Sequence, residues 1–258
     1  MSSEARIVPV LLLDGERLIK TKCFRDPVYV GDPVNVLGIF NEFEVDEIVL
    51  LNISSAYSRT PHPIKLLDQY ATECFIPLAY GGGITSDTQV AEILNAGYEK
   101  VIFNSLLADD PEMLSLIAAK FGSQAVVASI DVRGPTGNRE VVVHGNRDVV
   151  STDPGEWAAR AVALGAGEVL LTSVDREGTG EGFDLELVVN VSERVNVPVI
   201  AHGGAGRRSE LIEPISRGGA SAVAAGTIFV FQEPGHGVLV NYPSRTEIRK
   251  ILETSQPS

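Results

Sequence analysis

Two stretches of this chain copy one another, and the spacing between them limits what it can fold into. Ile76-Pro-Leu-Ala-Tyr-Gly-Gly-Gly-Ile84 returns as Val197-Pro-Val-Ile-Ala-His-Gly-Gly-Ala-Gly206, so that Gly82 and Gly83 recur 121 residues later as Gly203 and Gly204. Each begins as a short apolar run that reads as a buried strand, then passes through glycines into helix-forming sequence. A strand, a glycine turn and a helix start make a phosphate cradle, because glycine allows close backbone approach and the N–H groups at the helix start face the anion. The register extends further. Asp46-Glu-Ile-Val-Leu50 matches Gly167-Glu-Val-Leu-Leu171 at the same spacing, and residues 96–105 are matched by 218–227 at a spacing of 122. A repeat of about half the chain predicts two similar half-domains, about 1–122 and 123–258, closing into one body.

Between and around these copies, strand-like runs fall at Ile7–Leu13, Glu47–Asn52, Ile76–Tyr80, Val101–Asn104, Ala125–Asp131, Glu168–Val174, Val197–His202 and Ala222–Gly226. They are rich in Val, Ile and Leu with little alternation, as expected of parallel strands covered on both faces. Helical patterns lie between them at Pro33–Phe43, Pro61–Tyr70, Asp87–Ala96, Pro111–Phe121, Pro154–Leu164, Leu185–Glu193, Ser209–Arg217 and Ser244–Leu252. Eight strands alternating with eight helices, arranged as a duplication, predict a closed (β/α)8 TIM barrel of two similar half-barrels. An open doubly wound sheet is the alternative, but it gives no reason for two equivalent glycine turns.

A chain of 258 residues with 44% hydrophobic content can build such a barrel as one domain. Its net charge of −13 argues against nucleic acid or an anionic membrane as a partner. Cys23 and Cys74 alone exclude a disulfide framework and suit a reducing cytoplasm. No apolar run approaches 18 residues, and no signal-peptide pattern opens the chain, so a cytoplasmic location is expected. His, Cys and Asp never fall at metal-ligand spacing, and neither a metal nor another cofactor is expected.

Chemistry in such barrels sits where the strands end. That rule gathers the glycine turns, Asn104, Ser105, Asp131, residues 175–179, His202, Gly226 and Thr227 at one mouth. Arg6, Glu47, Lys100 and Glu168 fall at the opposite opening, either as an ion-pair ring or as solvated strand-end charges. Asp131 is the leading catalytic or substrate-orienting candidate, with capping of its own loop as the alternative. Asp175 and Glu177 either share charge with Asp131 or are neutralised by Arg176. His202 either donates to a phosphate or packs as a hydrogen-bonded core histidine. Arg207 or Arg208 can fork onto an anion unless both stay in solvent, and Lys20 and Arg147 can reach the mouth from loops.

Phe121-Gly-Ser-Gln-Ala-Val-Val-Ala-Ser-Ile-Asp131, Gly165-Ala-Gly-Glu-Val-Leu-Leu-Thr-Ser-Val-Asp-Arg-Glu-Gly-Thr179 and Gly203-Gly-Ala-Gly206 resemble the cyclase subunit of imidazole glycerol phosphate synthase, and the resemblance covers almost the whole chain. It implies a barrel that takes ammonia from a class I glutaminase docked at the strand-start face and uses it at the opposite mouth. The family's charged gate corresponds to Arg6, Glu47, Lys100 and Glu168. Its phosphate sites correspond to Gly82, Gly83, Asn104 and Ser105 in one half, and to Gly178, Thr179, Gly203, Gly204, Gly226 and Thr227 in the other.

The family's catalytic pair is an aspartate ending the first strand and another ending the fifth. The fifth-strand acid is Asp131, but the first-strand position holds Leu12, or Leu11 with a one-residue shift. Neither moves a proton. Asp14 lies on the same strand face as Leu12 but roughly 6–7 Å further along, whereas proton transfer needs contact at about 2.6–3.2 Å. Asp14 and Asp175 nevertheless stand as candidates beside Asp131.

Further departures are His202 and Gly226 where the family has serine, and Asn52 and Glu177 where it has aspartate. With the ending Gly237-Val-Leu-Val-Asn-Tyr-Pro-Ser-Arg-Thr-Glu247, they resemble a paralogous branch linked to surface-polysaccharide synthesis. There the barrel supplies ammonia to a separate sugar amidotransferase that turns an acetamido group into an acetamidino group. Three readings follow: that ammonia-delivering subunit, a genuine histidine-pathway cyclase, or a non-catalytic activator of the glutaminase that binds a phosphorylated ligand.

Overall fold

The computed structural model describes residues 6–43, 45–54, 61, 63–233 and 236–254. Eight parallel strands close into a barrel: β1 (Arg6–Asp14), β2 (Ile48–Asn52), β3 (Leu78–Gly81), β4 (Lys100–Phe103), β5 (Val126–Arg133), β6 (Glu168–Ser173), β7 (Val199–His202) and β8 (Ala222–Ala225). Closure comes from β8 pairing with β1, with Arg6 opposite Ala222 and Pro9 opposite Ala225. The TIM-barrel expectation is met.

The lack of alternation in the strands has a direct cause. In β1, Val8, Val10 and Leu12 point into the barrel, where they pack with Val49, Ala79, Ile102, Val127, Leu170 and Ile200. Ile7, Leu11 and Leu13 point outward against the helices. Both faces are dry, and each fully buried side chain of this size stabilises the fold by about 1.5–3 kcal/mol relative to exposure.

The surrounding helices are α1 (Pro33–Phe43), α2 (Ile64–Glu73), α3 (Asp87–Asn95), α4 (Pro111–Phe121), α5 (Pro154–Ala163), α6 (Leu185–Ser192), α7 (Glu213–Ser216) and α8 (Arg245–Thr254). Caps mark several starts. Asp110 accepts from the Met113 N–H and Asp153 from the Glu156 N–H, each at 3.0 Å, and each is followed by proline at the first helical position. The second helix starts at Ile64 rather than Pro61, with Pro63 at its N-cap; His62 lies outside the described residues.

The helix expected over Ser209–Arg217 is broken. A 3-10 turn, Arg208–Ile212, gives way to the single turn α7. Pro214 has no N–H for an earlier carbonyl, and Glu210 folds back to accept from the Gly206 and Arg207 N–H groups.

Two antiparallel ribbons that the sequence reading did not foresee extend the barrel at the mouth. Arg17–Lys22 pairs with Arg25–Gly31 and continues β1, while Glu140–Val143 pairs with Asp148–Ser151 and continues β5. They stand 123 residues apart and carry the internal repeat beyond the glycine turns. Their hairpin turns use left-handed backbone at Cys23 and Phe24 in one and at His144, Gly145 and Asn146 in the other. No helix among the described residues is long and apolar enough to cross a membrane.

Candidate active site and charged ring

At the strand-end mouth, β1 presents Leu12, 8% exposed and packed in the barrel interior. Asp14 sits on the rim, where its carboxylate pairs with the exposed Arg17 at 3.4 Å. Opposite, at the end of β5, the half-buried Asp131 accepts from the Asn104 side-chain amide at 3.2 Å, and the same amide donates to the Ser129 carbonyl at 3.1 Å. Withdrawal from water pushes the Asp131 carboxyl up to about 7; a hydrogen bond from Thr172 opposes the rise and the nearby Glu177 charge adds to it. Such a group can hold or release a proton near neutral pH. On the first strand Leu12 has no group to complement it, and Asp14 is paired with Arg17 at the rim.

Thr172 joins Asp131 to His202. The Thr172 hydroxyl lies 3.2 Å from the His202 Nδ1 on the neighbouring strand. Burial pulls the His202 pKa down to about 3, with the Lys20 ammonium adding to the effect, so the imidazole is neutral. The histidine is therefore packed and hydrogen-bonded, and it also lines the cleft below.

That cleft is formed by Lys20, Glu177, Gly178, His202, Gly204, Gly226 and Thr227. Lys20 makes a buried ion pair with Glu177, whose carboxylate also accepts from the Thr21 hydroxyl and the Phe24 N–H, each at 3.1 Å. Lys20, not Arg176, neutralises Glu177. Arg176 instead donates to the Glu181 carbonyl at 3.0 Å. Glu177 and Gly226 each have a local role here. Glu177 reaches partners on the first ribbon, and Gly226 leaves room for Lys20, since a Cβ at residue 226 would stand 2.9 Å from Lys20 Cε. Gly204 is required by its φ of +109° and by the Gly182 carbonyl, 2.1 Å from where a Cβ would lie. With Lys20 laid across it and paired with Glu177, the cleft measures only about 10 Å³, room for about one water, so a phosphate there requires Lys20 to swing off the glycine turn and become its counter-ion.

The remaining candidates are dispersed. Asp175 is exposed and accepts from the Gly134 N–H at 2.7 Å, bridging two loops. Thr179 closes its own turn, donating to the Arg176 carbonyl at 2.8 Å. In the other half, Gly82 and Gly83 have φ of +118° and +74°. The Ser105 hydroxyl accepts from the His144 N–H at 3.2 Å, which brings the tip of the second ribbon over that site. The Asn104 amide is engaged with Asp131 and the Ser129 carbonyl. Arg208 turns outward to Glu247 and Asn241, and Arg147 donates to the His144 carbonyl. Thr172 escaped the sequence reading, although a polar residue ending an apolar strand was a usable signal. Among the described residues no His, Cys, Asp and Glu side chains are grouped to hold a metal ion.

At the opposite opening the four charges form a ring. Arg6 bonds Glu47 at 3.0 Å and also bonds Glu168; Lys100 bonds Glu47 at 2.9 Å and Glu168 at 2.8 Å. The carboxylates are buried, with side-chain exposures of 6% and 7%. Burial pulls the Arg6 pKa down, but Glu168 and Glu47 outweigh it, and the net shift is upward. The solvated-charge alternative does not fit this geometry.

A family model for histidine biosynthesis proteins matches residues 6–234. The chain is 45% identical over 240 residues to a Pseudomonas aeruginosa protein named "Putative imidazole glycerol phosphate synthase subunit hisF2", covering 92% of this chain and 95% of that one. Proteins of Leptospira borgpetersenii and Leptospira interrogans, each named "Putative imidazole glycerol phosphate synthase subunit HisF", are 38% identical over 244 residues, covering 94% of this chain and 96% of theirs.

Proposed function

The chain belongs to the histidine biosynthesis protein family, and from that premise we propose that it is an ammonia-using synthase subunit whose own proton-transfer pair is incomplete. Ammonia from a class I glutaminase enters through the ring of Arg6, Glu47, Lys100 and Glu168 and leaves at the mouth beside Asp131. There it meets a phosphorylated ligand held by the two glycine-turn sites, with Lys20 beside the second. A separate sugar amidotransferase consumes it, in acetamidino modification of surface-polysaccharide sugars. The supporting observation is the contrast between the two ends of the barrel. All four ring charges are present and mutually bonded, while Leu12 occupies the first-strand position facing the interior. The location is the cytoplasm, where glutamine and the partner enzymes would meet it.

The test is coupling. The purified chain with its glutaminase and the sugar amidotransferase should release little free ammonia per product formed. Lys100→Ala leaves Glu47 and Glu168 each without one cation, so that the ring opens. The variant should hydrolyse glutamine at a similar rate while most of the ammonia escapes. Unchanged coupling in both Lys100→Ala and Arg6→Ala removes the tunnel from the account.

A further inference from the structure

A second cavity lies just outside the second glycine turn, on the flank of the barrel. Its volume is about 250 Å³, and Thr227 borders both it and the cleft beneath Lys20. Ile228, Phe231 and Leu239 supply apolar walls, and Arg208, Gln232 and Asn241 supply the polar ones. Leu239 and Asn241 belong to the C-terminal tail, so the chain's distinctive ending builds one side of the site.

The polar edge is organised. Arg208 is fixed by Glu247 and Asn241, each at 2.9 Å, which leaves the rest of its five N–H donors for a ligand. Leu239, 50% exposed, and the partly exposed Phe231 are apolar surfaces that a monomer gains nothing by leaving in water. The volume falls just below the roughly 300–1,000 Å³ of sites for drug-sized ligands, which suits a single ring. A hexopyranose presents an apolar C–H face to one aromatic wall and hydroxyl groups to a polar rim. A nucleobase instead asks for a slot with two flat faces, and among the described residues Phe231 is the one aromatic lining this cavity.

We propose that this cavity is a hexose-ring subsite and that the ligand of the second glycine turn is a hexose phosphate, with its phosphate over Gly204 and Gly226 and its ring against Phe231. The assignment rests on the reading of the mouth as a phosphate site. Binding to the full chain is measured by calorimetry with inorganic phosphate, glucose 1-phosphate and uridine monophosphate. Glucose 1-phosphate should bind at least about tenfold more tightly than inorganic phosphate, a difference of about 1.4 kcal/mol. Phe231→Ala should erase that advantage and leave inorganic phosphate unaffected, and Gln232→Ala, an exposed change that cannot unfold the barrel, should reduce it. Equal affinity for phosphate and glucose 1-phosphate, an advantage that survives Phe231→Ala, or a gain for uridine monophosphate alone overturns the subsite while the mouth reading stands. Failure of all three ligands to bind overturns both.

Discussion

Replacing Asp131 by Asn should make the protein more stable, and only at the upper end of the pH range. Asn keeps the shape of the side chain, and its oxygen can still accept from the Asn104 amide. The Asp131 carboxyl is held at about 7 in the fold against an ordinary 3.8. As pH rises from 3.8, the unfolded chain gives up this proton while the folded chain retains it. Relative to acid pH, stability is therefore lost progressively through that window, and the loss is complete above about pH 7. At about 1.36 kcal/mol per pH unit the gap corresponds to roughly 4 kcal/mol. Because the carboxyl is only half-buried, solvent at the mouth reduces this to about 2–4 kcal/mol. Urea denaturation at about pH 4.5 and about pH 8 should show Asp131→Asn close to the parent protein at the lower pH and about 2–4 kcal/mol more stable at the higher. A difference that does not change with pH refutes the reasoning. The comparison must be made at each pH, because the buried neutral His202 acts in the opposite sense as pH falls.

His202, held down at about 3, stabilises the fold above its unfolded value of 6.5 and loses that contribution as pH falls from 6.5 toward 3. His202→Gln should match the parent near pH 8 and surpass it by about 2–4 kcal/mol near pH 4.5 in the same denaturation experiment; a ring signal assigned to His202 by its loss in this variant and titrating near pH 6.5 would contradict the buried neutral form. Gly204→Ala forces a Cβ to within 2.1 Å of the Gly182 carbonyl at a φ that L residues rarely adopt. It should cost about 2–4 kcal/mol and abolish phosphate binding at the second site, read by thermal unfolding with and without inorganic phosphate.

The barrel was legible because unalternating Val, Ile and Leu runs at regular spacing have few other uses, and because the glycine pairs at 82–83 and 203–204 share one register. Proline and aspartate caps located the starts of α4 and α5. The first ribbon was not legible. Its turn places Cys23 and Phe24 in left-handed backbone, without the Asn-Gly signature that marks a hairpin in sequence, whereas Gly145-Asn146 in the second was a usable signal. The seventh helix was overread, since an amphipathic pattern says nothing of how Glu210 prefers the N–H groups of the preceding turn. At the site, Asp131 and His202 could be placed by strand ends and the ring charges by strand starts. The Lys20–Glu177 pair could not, because 157 residues and a ribbon crossing bring its members together. Arg208 likewise follows the glycine turn in sequence, but Glu247 and Asn241 from the tail draw it outward.

The most direct trial of an incomplete proton-transfer pair is the turnover of the histidine-pathway ribonucleotide by the purified chain supplied with ammonium. With Leu12 where an acid would face Asp131, cyclisation should be absent or at least about 100-fold slower than the 1–10³ s⁻¹ usual for enzymes. Turnover within that usual range would contradict the account and identify a genuine cyclase.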